Sequence, residues 1–154
     1  MKETFVMASP VGRLLVETDD DQLVKLEYHC KKKLTSHKLN AFSSQVKKQI
    51  ENYFKSPESN FTVPVSLEGT AFQKKVWAAL QKIPAGQTRT YGDISKQLNS
   101  SPRAVGNACR ANPVPLIVPC HRVIARSGIG GFGGKVAGKT IDCKRWLLQH
   151  EKCH

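Results

Sequence analysis

Three prolines fall within Asn112-Pro113-Val114-Pro115-Leu116-Ile117-Val118-Pro119, and Cys120 and His121 follow at once. Proline fixes φ, lacks an N–H and pushes the residue before it out of the helical region. The segment can therefore be neither a regular helix nor a central strand. An irregular stretch this apolar is expected to press into the protein body, which puts Cys120 in a pocket. A free thiol ionises at about pH 8.5 and stays mostly protonated at neutrality. An adjacent base and local positive charge, here His121 and Arg122, are what would generate a thiolate. Adjacency alone favours the commoner reading, a buried structural cysteine acting as a small hydrophobe. The rest of the chain has to decide.

At 154 residues the chain has room for one ordinary domain or two small ones. Its 24 lysines and arginines against 12 carboxylates give a formal charge of +12, which favours a polyanionic partner. Nucleic acid comes first and a membrane surface second. No segment approaches the roughly eighteen apolar residues of a membrane span, and Met1–Phe5 lacks the apolar core of a secretory signal. The expectation is an intracellular protein with no membrane association. Cysteines 30, 109, 120, 143 and 153 form an odd set without C-x-x-C, so no disulfide framework is expected. His29-Cys30 and the tail His150, Cys153 and His154 supply metal-ligand types without paired spacing, and no metal is expected.

The chain divides by pattern. Phe5–Met7, Leu14–Val16 and Leu23–Tyr28 are apolar or alternating runs, separated by the turn residues Ser9–Gly12 and Asp19–Asp21. They predict a three-stranded meander. Phe42, Val46, Ile50, Tyr53 and Phe54 predict one face of a helix. Phe61, Val63, Val65 and Leu67 alternate as in a strand, placed at an edge by Pro64. Residues 1–67 thus read as a small α+β domain without a catalytic constellation. From Glu68 the pattern turns helical. Thr70-x-x-Gln73 is a capping box opening a helix with Phe72, Val76, Leu80 and Ile83 inward. Thr90-x-x-Asp93 opens a second, running through Leu98. Ser101 and Pro102 open a third, ending near Ala111. A last amphipathic helix spans about Ile141–Glu151.

The short helices at Gly92–Leu98 and Pro102–Ala111 have helix-turn-helix proportions. Arg103 and Arg110, seven residues apart, can point outward together. An ordinary helical hairpin is the competing reading, and the net charge favours DNA. Gly133–Thr140 literally fits the phosphate-cradling G-x-x-x-x-G-K-T. Its context fails, because the preceding stretch is glycine-rich rather than a buried strand and too few residues follow for an acidic magnesium ligand. Gly128-x-Gly130-x-x-Gly133 matches a dinucleotide fingerprint but lacks its βαβ unit.

Several motifs in order over about residues 68–152 resemble the O6-alkylguanine-DNA alkyltransferases. They are Phe72-Gln73-x-x-Val76-Trp77, Thr90-Tyr91-Gly92, Arg103-Ala104-Val105-Gly106, Arg110-Ala111-Asn112-Pro113, Pro119–Val123, Gly130-Gly131-Phe132 and Trp146-Leu147-Leu148-x-His150-Glu151. The resemblance implies an α+β protein. An N-terminal RNase-H-like sheet-plus-helix domain (1–67) would precede a mostly helical, winged-helix-like domain with a helix-turn-helix (68–154). It implies irreversible, single-turnover transfer of the alkyl group from O6-alkylguanine in duplex DNA to Cys120, less certainly from O4-alkylthymine, with base flipping. His121 would take the thiol proton, in relatives through a water, and Glu151 would orient His121. Asn112 would brace the active-site turn, and the Tyr91 hydroxyl would help the guanine leave. Arg103, Arg110, Tyr91, Gly92 and Gly106 would contact DNA, with Arg103 filling the gap left by the flipped base. Pro115, Val123, Phe132, Gly133 and Gly134 would line the alkylguanine pocket. Double-stranded DNA carrying O6-alkylguanine is the implied partner of a monomer, with cooperativity along DNA left open, and no cofactor is implied.

Departures accompany the likeness. Phe132 stands where several relatives carry tyrosine, and Cys109 and Pro115 lie near the expected pocket. Two other readings compete. A damage sensor that holds flipped guanine without transfer is opposed by the presence of Cys120. A cysteine hydrolase would explain the Cys120–His121 pair but leave the helix pair and the charge without a use.

Overall fold

Alternating apolar residues build the first sheet. Strands β1 (Lys2–Met7), β2 (Leu14–Asp19) and β3 (Gln22–Glu27) form an antiparallel meander in that order. Phe5, Val6 and Met7 pair with Val16, Leu15 and Leu14, and all six are buried. Asp20 and Asp21 adopt φ of +50° and +59°, the left-handed pair that a tight two-residue hairpin requires. The computed structural model describes residues 1–128, 130 and 139–152, and the chain divides into two compact units, Met1–Leu67 and Glu68–His154.

In the first unit, Asn40 caps helix α1 (Ala41–Lys55) by accepting from the Ser43 N–H at 2.8 Å. The buried face is Ser43, Val46, Ile50 and Tyr53. Phe42 and Phe54, expected on that face, stay half-buried at its margins. Ser43 is fully buried because its hydroxyl has a partner, Thr18 Oγ1 at 2.8 Å, so the stripe can include a polar residue. Residues 61–67 differ from the expected strand. Only Val65 bridges β3, parallel to Leu23, with Leu23 N–H donating to Pro64 O and Ser66 N–H donating to Leu23 O. Pro64 offers a carbonyl but no N–H, so the ladder stops after one bridge.

The second unit is mostly helical. Helix α2 (Ala71–Gln81) starts at the Thr70–Gln73 capping box and buries Val76, Trp77, Ala79 and Leu80. A two-residue strand β4 (Arg89–Thr90) pairs in parallel with β5 (Val123–Ile124), a pairing too short for a sequence pattern to reveal. Thr90 also caps α3 (Tyr91–Gln97), with Asp93 completing the box. Ser101 caps α4 (Pro102–Arg110), and helix α5 is Lys139–Lys152. No helix among the described residues is long and apolar enough to cross a membrane.

Trp77 ties α2 to α4. It is 1% exposed, and its indole N–H donates to Ala108 O at 2.9 Å. That carbonyl lies in the last turn of α4, where carbonyls lack helical partners. Trp77→Phe should leave it buried without a donor and lower stability by about 1–3 kcal/mol. Urea unfolding followed by circular dichroism checks this, and an unchanged midpoint would remove the indole from the account.

Candidate active site

Asn112 organises the segment that prolines keep irregular. Its Nδ2 donates to Val118 O at 2.8 Å, and its Oδ1 accepts from Val114 N–H at 2.9 Å. Val118 N–H donates to Val114 O at 3.0 Å, and Val118 O also accepts from Cys120 N–H at 2.8 Å. One side chain therefore closes a turn in which three of eight residues have no N–H to give. Leu116, buried, sits at φ +80°, a conformation costly for a leucine and held by the surrounding bonds. The turn delivers Cys120, 6% exposed, into a 3-10 turn over Cys120–Arg122. Burial pushes its thiol up to about 11, against the opposing pull of the Asn112 side chain and the Lys144 charge. At neutral pH the resting group is a thiol.

His121 is fully buried, with Nε2 2.7 Å from Glu151 Oε2. Burial lowers the His121 pKa, outweighing the upward pull of Glu151, so the ring is neutral. Glu151 is held well below the usual carboxylate range by His121 and Arg122, which together outweigh its burial. A carboxylate only accepts, so the hydrogen belongs on Nε2 and Nδ1 carries a lone pair. Nδ1 has no hydrogen-bond partner among the described residues. The ring is thus presented as a base.

Arg122 fixes Glu151 from the other side. Its Nε and Nη2 donate to the two carboxylate oxygens at 3.0 Å each, and Nη1 donates to Ile83 O at 2.6 Å. In the sequence Arg122 had only the role of nearby positive charge. Lys144 was missed altogether. It is fully buried on α5, its Nζ donates to Val123 O at 2.7 Å, and it lies 5.8 Å from the centre of the Tyr91 ring. Its signal was present: Ile141, Lys144 and Leu147, at helical spacing, make the buried stripe that ends in Glu151.

Tyr91 begins α3 and is half-buried, its hydroxyl pushed up to about 12 chiefly by burial, so it remains a donor. Gly130 packs against it: at φ +73°, a Cβ there would approach Tyr91 Cε2 to 3.2 Å and Ala125 N to 3.0 Å. On α4, Val105 and Ala108 face inward while Arg103, Asn107 and Arg110 are exposed and Gly106 is half-buried among them. Gly92 and Pro115 are half-buried, and Val123 is fully buried. The geometry brings together Cys120, His121, Glu151, Asn112, Val123 and, through Lys144, Tyr91. Phe132, Gly133 and Gly134 lie outside the described residues. Charge is segregated as well: residues 68–154 hold 14 basic against 4 acidic side chains (net +10), and residues 1–67 hold 10 against 8 (net +2).

Residues 71–153 match the family model of the 6-O-methylguanine DNA methyltransferase DNA binding domain, and residues 1–67 match the ribonuclease-like domain of the same methyltransferase. The chain belongs to this family. It is 35% identical to the constitutive methylated-DNA–protein-cysteine methyltransferase of Bacillus subtilis, covering 94% of this chain and 92% of that protein. It is 39% identical to the Methanosarcina acetivorans methylated-DNA–protein-cysteine methyltransferase over 95% and 96% of the two chains. The crystal structure of Mycobacterium tuberculosis O6-methylguanine methyltransferase superimposes with a TM-score of 0.83 at 38% identity, covering 99% and 94%. The M. tuberculosis OGT in complex with DNA gives 0.80 at 39% identity, covering 96% and 91%. The expected α+β architecture agrees with these relatives.

Removing Arg122 would strip a buried carboxylate of the guanidinium that pairs with both of its oxygens. Arg122→Met should cost about 3–5 kcal/mol at neutral pH. Because Glu151 is depressed in the folded state, the stability it contributes is complete above the unfolded carboxylate's pKa of about 4.3 and is lost as pH falls further. The gap between wild type and variant should therefore hold from pH 7 to near that value and narrow below it, read from urea midpoints across pH.

Proposed function

We infer that the family's chemistry, repair of DNA by moving an alkyl group onto a protein cysteine, is carried in this chain by Cys120. The observation that carries the inference is the neutral, fully buried His121. Glu151 holds it at Nε2, its Nδ1 has no hydrogen-bond partner among the described residues, and it directly follows the buried thiol of Cys120. The substrate is double-stranded DNA carrying O6-alkylguanine.

The step balances without a cofactor. His121 Nδ1 takes the Cys120 proton, and Glu151 offsets the charge of the imidazolium. Sγ attacks the alkyl carbon in line, forming the S–C bond as the C–O6 bond breaks with its electron pair passing to guanine. Guanine regains a proton, for which the Tyr91 hydroxyl is the positioned donor, and the proton held by His121 restores the balance. The sum is thiol plus O6-alkylguanine giving thioether plus guanine. Water and glutathione do not reopen a thioether, so each molecule acts once.

The exposed face of α4 is the DNA-reading surface of this proposal. Arg103 occupies the space vacated when the damaged nucleotide leaves the stack, offsetting an extrusion cost of a few kcal/mol. Arg110 contacts phosphate, and Gly92 and Gly106 let the backbone approach closely. Residues 68–154 form the DNA-binding and alkyl-acceptor domain, and their excess of positive charge supports that assignment. Residues 1–67 are the structural domain.

Mixing the protein with a duplex containing one O6-methylguanine should add a single methyl to the Cys120 peptide, matched mole for mole by restored guanine. Tight binding with no mass change would move the protein to the sensor class. Arg103→Ala should slow transfer from duplex DNA by about tenfold or more while sparing transfer from the free O6-alkylguanine base. Full-rate repair of duplex by that variant would overturn the role given to Arg103.

A further inference from the structure

Lys144 is a fully buried lysine that the chemistry above does not use. Packing does not explain why it is there. A buried ammonium loses its hydration, and an apolar side chain of similar volume in the same place is commonly neutral or stabilising. Its surroundings are specific. Nζ donates to the carbonyl of Val123, the residue whose own N–H closes the Cys120–Arg122 turn onto Cys120 O. The ammonium is also 5.8 Å from the centre of the Tyr91 ring. It is thereby anchored between the acceptor turn and the tyrosine. Titratable groups in its field are Cys120 and His121 on that turn, Cys109 on α4 and Tyr91 on α3.

We propose that Lys144 is a positioning residue for the transfer, its anchored ammonium supplying the positive field that stabilises the Cys120 thiolate once His121 has taken the proton. His121 becomes a cation at that moment, and Glu151 answers that charge. The negative charge left on Cys120 is answered by Lys144. The electrostatics agree with the geometry. Burial lowers Lys144 to about 8, and the charges that oppose this fall are Cys120 first and Cys109 second. Reciprocally, Lys144 lowers the pKa of Cys120.

This inference deepens the alkyl-transfer reading but can fail separately from it. The probe is iodoacetamide, whose reaction with Cys120 reports thiolate without any DNA. Lys144→Gln removes the charge and keeps a donor for Val123 O, Lys144→Met removes both, and Lys144→Arg keeps a cation. Peptide mass spectrometry follows Cys120 labelling across pH, with thermal melting as the check on folding. At pH 7 the Gln and Met variants should label Cys120 about tenfold more slowly, with the profile displaced to higher pH, and the Arg variant should recover part of the rate. Folded Gln and wild-type proteins with superimposable profiles would overturn the proposal. So would a Gln variant slowed equally at every pH, which indicates packing alone. Should Lys144→Met fail to fold, Lys144→Gln carries the test. If wild type takes up no methyl from damaged duplex while the labelling profiles separate as described, the alkyl-transfer reading fails and the charge pairing stands.

Discussion

One carboxylate holds the second unit in a working arrangement. Glu151, near the end of α5, accepts from His121 and, at both oxygens, from Arg122, whose remaining nitrogen reaches the Ile83 carbonyl just beyond α2. α5, the acceptor turn and the end of α2 are therefore joined by a single buried ion pair with its lone pairs used. Such a pair is expensive to desolvate and costlier still to break by half, so it specifies one geometry more than it adds stability. The histidine inherits its tautomer from this bond. A structural link thus sets which nitrogen of the imidazole keeps its lone pair.

The acceptor depends on a different device. Prolines at 113, 115 and 119 remove donors from the turn, and Asn112 closes it with one donor and one acceptor from the same amide. A shorter or apolar side chain at 112 would leave Val118 O and Val114 N–H without those partners. Leu116 at φ +80° shows that the turn is held away from its local preference. Cys120 is placed by this frame, and the His121 imidazole that follows it by the ion pair. The two meet because Cys120 and His121 are consecutive in a 3-10 turn.

Much of this was legible in the sequence, and the failures have physical causes. Capping boxes at Thr70–Gln73 and Thr90–Asp93 and the Ser101-Pro102 start located three helices to within a residue or two, since each motif satisfies named backbone groups. The meander was equally plain. Phe42 was misplaced because an aromatic outweighs a serine in any hydrophobic stripe, whereas the buried Ser43 hydroxyl finds its partner in Thr18 of β2. The expected strand at 61–67 is cut to a bridge because Pro64 lacks the N–H that alternation takes for granted. Lys144 escaped for a related reason. A charge on an apolar stripe reads as an interruption until its carbonyl partner, distant in sequence at Val123, is known.

Burial of the acceptor is at first sight the wrong choice for a nucleophile, since it raises the thiol's pKa and keeps the sulfur protonated. For a protein that reacts once it is the better one. An exposed thiolate would be consumed by any soluble electrophile, and no turnover would replace it. A buried thiol is quiet until its proton is drawn off, and the neutral His121 and the anchored Lys144 are both held at this turn before any substrate arrives. Selectivity then follows from access, because the electrophile must be brought to a buried sulfur. A cationic domain that carries exposed arginines on α4 is suited to bring it on a DNA strand. The low resting reactivity of Cys120 and the charge asymmetry of the chain are thus two halves of one arrangement.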